Sequence, residues 1–152
     1  MAVSPGQVRL EQRLKVKIGE AKNLVRSHGN AGPRDVYCTV SLDQEEIFRS
    51  APAEKTAGHS AFFGDEFQFD IPRRFRFLSF YLNDRDRPMK TDKIVGKVSL
   101  KKDILHKYHG KDQWFPVMPV DADSEVQGKV HVEIRHLSVG QMNDGYPQHM
   151  LE

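Results

Sequence analysis

Asp84 and Asp86 are the residues of this chain best placed to share a ligand. They follow an apolar strand directly, in the stretch FLSFYLNDRDRPMKTDKIVGKV that runs from Phe77 to Val98. Side chains alternate along a strand with period 2, so we expect both carboxylates to point the same way. Such a pair can hold a hard cation such as calcium, which prefers several oxygen ligands.

The loop that follows this pair is also basic. Four basic residues and one methionine surround the two aspartates, and this set predicts contact with anionic phospholipid headgroups. Met89 is then expected to insert at the acyl boundary. The alternative is a solvated loop in which the aspartates pair with neighbouring arginines. The predicted phospholipid-contacting residues are Arg85, Arg87, Met89, Lys90 and Lys93.

Length and composition narrow the classes of protein to consider. The chain has 152 residues, which fits one domain. Its 23 basic and 21 acidic residues leave a net charge of +2, too small for a dedicated nucleic-acid binder, so we expect no nucleic-acid partner. The single cysteine, Cys38, excludes an internal disulfide and suits a reducing cytosol. We see no signal peptide and no apolar run near the roughly 18 residues of a membrane span.

Short alternating segments predict an all-β sandwich. One short helical candidate covers 102–108, and Asp43-Gln44 indicates a hairpin turn. We predict an N-terminal tail over 1–9, one domain over 10–136 and a linker or tail over 137–152. The eight predicted strands lie around residues 14–18, 36–41, 46–49, 66–70, 78–82, 94–100, 114–117 and 130–134.

The order of these strands predicts which loops meet. If successive strands reverse direction, every second connection lies at the same end of the sandwich. The loops over 19–34, 50–64 and 83–93 then share one end, and Asp35 is expected to converge there with the aspartate pair. The connection PRRFR, residues 72–76, is expected at the opposite end.

The remaining chemistry-bearing residues predict structural roles. Cys38 alternates with polar neighbours, which indicates a buried small side chain rather than a nucleophile. Trp114 and Phe115 are expected in the apolar core. The sequence contains no nucleotide-binding glycine loop and no nucleophile elbow, so we do not expect an enzyme.

Several segments resemble a C2 domain, and the resemblance covers about residues 10–136. It implies an eight-stranded antiparallel Greek-key β-sandwich. A more specific part of it is similar to the first C2 domain of Ras GTPase-activating proteins of the inositol-tetrakisphosphate-binding subfamily. The C2-like pieces are EAKNL, RDVYCTVSLDQEEIF, FFGDEFQF, FYLNDRD, IVGKVSL and QGKVHVEI, and the more specific ones are SLDQEEIF, KYHGKDQWF and VDADSEVQGKVHVEIR.

The resemblance implies only part of a calcium site. C2 domains that bind calcium offer acidic ligands on three loops, and Asp35, Asp84 and Asp86 match three of those positions. The first-loop aspartate falls on Gly29. The last acidic position is Asp92 or Lys93, depending on the direction of counting. We therefore expect no cofactor, with weak calcium binding by the three matching aspartates as the open alternative.

The resemblance also implies a function. In that subfamily two C2 domains precede a GTPase-activating domain and a pleckstrin-homology domain, and neither of those fits in 152 residues. We expect a monomeric module of a cytoplasmic protein, peripheral at the inner face of the plasma membrane, that binds anionic phospholipid weakly and largely without calcium. A Ras-family GTPase is expected as a partner through the parent protein. The alternatives are a protein-interaction domain that docks on the parent or on a GTPase, and a calcium-dependent phospholipid-binding domain.

Overall fold

The computed structural model describes residues 10–26, 36–55, 60–86, 91–120 and 126–140. Within these ranges the chain forms two antiparallel sheets that enclose an apolar core. A 3₁₀ helix, Lys102–Tyr108, follows the seventh strand. The strands are β1 (Leu10–Arg26), β2 (Val36–Leu42), β3 (Glu45–Arg49), β4 (Glu54–Lys55), β5 (Ala61–Asp70), β6 (Phe77–Asp86), β7 (Thr91–Lys101), β8 (Lys111–Pro116) and β9 (Val126–Gly140).

The chain crosses from one sheet to the other several times. One sheet has the strand order β4-β5-β1-β9-β8 and the other has the order β3-β2-β6-β7. Since β1 pairs with β5 and β9, strands that are distant in sequence become neighbours, as Greek-key connections require. The predicted all-β antiparallel sandwich is confirmed. Each of the eight predicted strands is present, and the two-residue strand β4 is an addition.

Strict alternation builds the core. Leu14, Val16 and Ile18 on β1 are fully buried, and so are Leu78 and Phe80 on β6. The residues between them on β1 are basic and face solvent or lie at its border. Each strand therefore supplies one apolar row to the space between the sheets, and this burial is the main favourable term in folding.

Aromatic contacts close the sides of the sandwich. Phe48 on β3 stacks on Phe67 of the opposite sheet, with ring centroids 4.2 Å apart and planes 5° apart. Tyr108, at the end of the 3₁₀ helix, meets Phe115 of β8 edge-on at 5.0 Å. Aromatic pairs at such distances contribute beyond the area that they bury. The Phe48–Phe67 contact therefore helps to fix one sheet relative to the other, and the Tyr108–Phe115 contact holds the 3₁₀ helix against β8.

The C-terminal half of β1 contains two irregularities in its pairing with β9. The pairing of β1 with β9 shifts between Ile18 and Ala21 and again between Lys22 and Val25. A bulge adds a residue to one strand, so the buried positions change from every second residue to Ile18, Ala21 and Leu24. We expected a loop from residue 19 onward, and the strand instead continues to Arg26.

The predictions for Cys38, Trp114 and Phe115 had different outcomes. Cys38 is fully buried, as predicted, and burial raises the pKa of its thiol, with the Asp65 carboxylate adding to the increase. The prediction for Trp114 was wrong. Its side chain is 37% exposed, and Lys22 Nζ lies 5.0 Å from its ring centroid. Phe115, the next residue, takes the inward position on β8 and is buried.

The strand β9 runs to Gly140, beyond the boundary that we expected at residue 136. Its last residues pair with the start of β1, where Leu10 lies opposite Gly140. The division of the chain into a domain and two tails otherwise stays a prediction, since 1–9 and 141–152 lie outside the described residues.

Gly128 allows β9 to pass close to β1. Its φ is +134°, and a Cβ there would lie 2.8 Å from the carbonyl oxygen of Lys22. Replacing it by alanine forces both a strained backbone and a close contact. We expect Gly128→Ala to lower the free energy of unfolding by about 2–4 kcal/mol, measured by urea denaturation.

Gly110→Ala is the matched control for that prediction. Gly110 also has a positive φ, +70°, but its Cβ would meet no atom within 4 Å. Strain alone then costs about 1–2 kcal/mol. If Gly128→Ala were no more destabilising than Gly110→Ala, the close approach of the two strands would not matter for stability.

Candidate functional site

Three strand ends of the four-stranded sheet meet at one end of the sandwich. Val36, at the start of β2, lies opposite Asp84 on β6, and Asp84 lies opposite Lys93 on β7. We call this end, with the start of β2, the end of β6 and the start of β7, the loop end. The register therefore places the predicted acidic pair at the edge of a continuous three-stranded ladder.

The connection after β3 is attached to the same end. The backbone N–H of Ala53 donates to the carbonyl of Val36 at 2.7 Å. Two further bonds join Ser50 and Cys38. The Cys38 N–H donates to Ser50 Oγ at 2.8 Å, and the Ser50 N–H donates to the carbonyl of Cys38 at 2.8 Å. Since Glu54 then pairs with Phe62 on β5, this short segment links the loop ends of the two sheets.

The structure describes only some of the predicted site residues. Asp84 and Arg85 are half-buried at the end of β6. Asp86 and Lys93 are placed by the backbone register alone, since their side chains are not described. The remaining predicted residues, Asp35, Arg87, Met89 and Lys90, lie outside the described residues. Their convergence at the loop end stays a prediction.

The β6–β7 register alternates charges across the ladder. Asp84 lies opposite Lys93, and Arg85 lies opposite Asp92. Asp86 lies opposite the uncharged Thr91. Directly opposed residues in an antiparallel pair are the closest cross-strand neighbours, and opposite charges there are stabilising. The register therefore sets one of the two aspartates opposite a basic residue.

Asn83 is a positioning residue that the sequence analysis missed. It is buried at the last position before the acidic pair. Its side-chain amide ties the end of β6 to β2. In the sequence, the only sign of this role is an asparagine that follows the apolar part of the strand. The Nδ2 group donates to Thr39 Oγ1 at 3.2 Å, to the Tyr81 carbonyl at 3.2 Å and to the Tyr37 carbonyl at 3.5 Å.

Two exposed apolar side chains border the loop end. Ile94 on β7 is 46% exposed and lies opposite Asn83. Phe62, near the start of β5 in the other sheet, is 48% exposed. From the sequence we expected Ile94 at the start of a strand, Phe62 in the loop over 50–64 and Met89 as the apolar residue of the site, whereas Phe62 lies on β5. The exposure of Ile94 could not be inferred from the sequence, because the β6–β7 register shifts at Asn83 and breaks the alternation on β7.

The connection PRRFR lies at the opposite end, as predicted. Asp43, in the turn between β2 and β3, accepts hydrogen bonds at Oδ1 from the N–H groups of Arg76 at 2.9 Å and Phe77 at 3.0 Å. These two bonds, with a smaller contribution from the Arg76 charge, lower the pKa of the Asp43 carboxyl. This turn is at the other end of β2 from Val36, so the two ends of the sandwich are distinct.

No cluster of metal ligands stands out in the part of the chain that the structure describes. Within it, no three His, Cys, Asp or Glu side chains lie close enough to hold a metal ion. Asp35 and the side chain of Asp86 lie outside that part, so the predicted calcium ligands are not tested by this finding. Nor does any helix among the described residues have the length and apolar character needed to cross a bilayer.

Comparison with known protein families decides the classification. The C2 domain family matches residues 12–117, which is more than half of the chain. The chain belongs to the C2 domain family. The resemblance in the sequence and the predicted fold are thereby both confirmed. A C2 domain is a non-catalytic module.

Relatives of this C2 domain are GTPase-activating proteins. It is 57% identical over 134 residues to a GTPase-activating protein of Drosophila melanogaster, covering 84% of this chain and 11% of that protein. It is 54% identical over 135 residues to Ras GTPase-activating protein 3 of Bos taurus, covering 89% of this chain and 16% of that protein. The similarity to Ras GTPase-activating proteins is therefore shown, and the chain spans a small part of their length.

Solved structures agree on the fold. A structure of the C2A and C2B domains of Extended-Synaptotagmin 2 matches with a TM-score of 0.66 at 17% identity, over 87% of this chain and 48% of that one. The C2A domain of a plant Extended Synaptotagmin 1 matches with a TM-score of 0.58 at 15% identity, over 85% and 98%. At such identities the likeness shows the fold alone.

The role of Asn83 gives a stability prediction. Removing its amide by Asn83→Ala leaves the buried acceptors on β2 and β6 with fewer partners. We expect the free energy of unfolding to fall by about 1–3 kcal/mol, measured by urea denaturation. Gln68→Ala, an exposed position on β5, serves as the control and should change stability by less than about 0.5 kcal/mol. Equal effects of the two substitutions would mean that the hydrogen bonds of Asn83 do not stabilise the fold.

Proposed function

We propose that this C2 domain binds anionic phospholipid at a membrane surface through its loop end, weakly and largely without calcium. In this proposal it is a membrane-targeting module of a Ras GTPase-activating protein at the inner face of the plasma membrane. It contributes to the down-regulation of Ras signalling by holding the parent protein near its membrane-bound substrate. The relatives named above support this context, and the chain spans 11–16% of their length.

The observation that carries the proposal is the charge pattern of β6, β7 and the residues between them. From Asp84 to Lys93 the sequence holds four basic and three acidic residues, a net charge of +1. The register sets Asp84 opposite Lys93 and Asp92 opposite Arg85. Two acidic residues thus already have a basic residue across the ladder, and Arg87 and Lys90 remain in the connection between the strands. That balance favours an anionic surface as the ligand.

Calcium fits this set of residues poorly. Calcium sites of useful affinity concentrate carboxylate oxygens and negative charge. Here a positive segment carries the acidic pair, and Gly29 stands where a first-loop aspartate would be expected in a calcium-binding C2 domain. Asp35, Asp84 and Asp86 are the ligands that would hold calcium if it bound. The positive charge around them opposes that binding.

The expected affinity for a membrane is low. Each basic residue close to an anionic leaflet contributes about 1 kcal/mol. The four basic residues Arg85, Arg87, Lys90 and Lys93 then give roughly 4 kcal/mol, which corresponds to a dissociation constant near 1 mM. Such binding becomes useful when a second lipid-binding module in the same protein raises the effective concentration at the surface.

Apolar side chains near the loop end support the same orientation. Ile94 and Phe62 are exposed on two sides of it, one on each sheet. Met89 lies between Arg87 and Lys90 in the sequence. Basic residues that attract the surface, together with apolar residues that enter the headgroup region, are the combination that interfacial binding requires.

A protein-interaction role is the second candidate, and one observation favours it. Trp114 is exposed on the outer face of the five-stranded sheet, where it packs edge-on against His131 at 5.2 Å. Tryptophan is enriched at the centres of protein interfaces. If the loop end binds no lipid, this sheet face becomes the surface to test for docking on the parent protein or on a GTPase.

The calcium part of the proposal is tested by titration calorimetry. We expect calcium to bind this domain no tighter than about 1 mM, because the segment that carries the acidic pair is net positive. A micromolar dissociation constant that is lost in Asp84→Asn would contradict this expectation. It would establish instead the calcium-dependent alternative, with Asp84 as a ligand.

The membrane part is tested by sedimentation with phosphatidylserine vesicles. Arg87→Glu combined with Lys90→Glu removes two favourable contributions of about 1 kcal/mol each and adds repulsion of similar size. We expect binding to fall below detection. Rising salt should weaken wild-type binding steeply, since exposed charges are screened over about 8 Å at physiological ionic strength. Met89→Asp should also weaken it by opposing insertion.

The matched control is Arg73→Glu combined with Arg74→Glu. It makes the same change in charge at the opposite end of the sandwich, and vesicle binding should stay close to that of the wild type. If this control abolished binding while the Arg87/Lys90 substitutions did not, the membrane-binding surface would be the PRRFR end of the sandwich and not the loop end. Should the wild type not bind vesicles at all, even beside a neighbouring lipid-binding domain, the protein-interaction role replaces this proposal.

A further inference from the structure

The end of the sandwich opposite the loop end is also basic, and the lipid-binding role does not use it. Six exposed basic residues lie there, on the connection between β5 and β6, at the end of β7 and on the 3₁₀ helix. We call this group the basic end. Its members are Arg73, Arg74, Arg76, Lys101, Lys102 and Lys107.

The backbone that carries these residues is held in place. Asp43 accepts the N–H groups of Arg76 and Phe77, and Phe75 is buried in the core. Lys102 joins the other segment to it, because its N–H donates to the Arg76 carbonyl at 2.8 Å and its Nζ donates to the Arg73 carbonyl at 3.1 Å. The basic end is therefore a defined surface with two linked segments.

Acidic residues neutralise only part of this charge. Asp43, Glu45 and Asp103 lie at the same end, which leaves a formal net charge of +3 for these nine residues. In the part of the chain that the structure describes, Arg73 and Arg74 have no carboxylate within ion-pair distance. Two arginines on the five-stranded sheet differ, since Arg13 pairs with Asp70 at 2.8 Å and Arg135 with Glu133 at 2.7 Å.

The length of β6 separates the basic end from the loop end. This strand runs from Phe77 to Asp86 and joins the two ends directly. Ten residues at about 3.3 Å each span roughly 30 Å. That distance is several times the screening length of about 8 Å at physiological ionic strength. A bilayer held at the loop end therefore leaves the basic end in solution, so its ligand is not that bilayer.

We propose that the basic end docks an acidic protein segment, rich in Asp and Glu, while the loop end is on the membrane. Arginine forks bind carboxylates in pairs of parallel hydrogen bonds. The six basic residues belong to two segments and are exposed rather than enclosed, which suits an extended ligand with several carboxylates better than one small anion. Phe77, 37% exposed beside them, offers an apolar contact. The orientation of the domain in this proposal rests on the proposed function.

The first test measures binding of a labelled peptide by fluorescence anisotropy. The probe is a fluorescein-labelled twelve-residue peptide of alternating glutamate and serine, titrated with the 152-residue chain at low salt. Arg73→Glu combined with Arg74→Glu should weaken binding at least tenfold. Arg87→Glu combined with Lys90→Glu, the same change in net charge at the loop end, should change it by less than twofold.

Two results would overturn the proposal. Equal weakening by both pairs means that net charge alone attracts the peptide, and no weakening by either means that the peptide does not use the basic end. Arg73→Gln combined with Arg74→Gln removes charge without reversing it. It should give an intermediate loss with an unchanged melting temperature, which separates lost binding from lost folding.

The second test asks whether the two ends work together. The same peptide is sedimented with phosphatidylserine vesicles in the presence of the protein, and we expect it to sediment only when wild-type protein is present. Displacement of the protein from vesicles by the peptide would mean one shared surface and would overturn the proposal. If the protein does not bind vesicles, the proposed function fails by itself, and the anisotropy result alone decides whether the basic end binds acidic segments.

Discussion

The register of the β2–β6–β7 ladder is the constraint on which the placement of every candidate residue depends. With Val36 opposite Asp84 and Phe80 opposite Val98, the inward row of β6 is apolar until Leu82 and acidic beyond it. A slip of one residue would send that row to the solvent face. The burial of the apolar row therefore fixes the acidic residues at the end of the strand, and Asn83 holds that end against β2.

The same alternation explains why the candidate binding surfaces lie at the ends. The interior of the sandwich is filled by apolar side chains, and Cys38 is one of them rather than a reactive group. The outer face of the five-stranded sheet carries ion pairs such as Lys15 with Glu66, at 3.3 Å. Exposed pairs of this kind contribute little to stability, but they cancel charge locally. The two ends, about 30 Å apart by the length of β6, each carry more basic than acidic residues.

Regular alternation made most of the fold predictable from the sequence. The rows Leu14-Val16-Ile18 and Val130-Val132-Ile134 predicted strands, and the strand order correctly separated the PRRFR connection from the aspartate pair. Bulges were the main reason for errors. The buried residues Ala21 and Leu24 follow Ile18 at intervals of three, so a period of two could not extend β1 to Arg26.

Other features depend on contacts between segments that are distant in the sequence. The burial of Asn83 follows from acceptors on β2, and the exposure of Trp114 follows from its place on the outer face of β8. The pairing of charges between β6 and β7 could not be predicted from the sequence, because it depends on the register of the two strands. Composition gives only the total charge of this segment. The residues between those strands, 87–90, lie outside the described residues, so their part in the site rests on the sequence.

The orientation of the domain on a membrane is tested most directly by spin labelling. Labels are attached at two positions, by Met89→Cys and by Arg74→Cys, each in a Cys38→Ala chain. On phosphatidylserine vesicles, the label at position 89 should become more accessible to bilayer-dissolved oxygen than to an aqueous nickel complex. The label at position 74 should keep its aqueous accessibility. Bilayer accessibility at position 74, or none at position 89 when the protein is bound, would contradict the account.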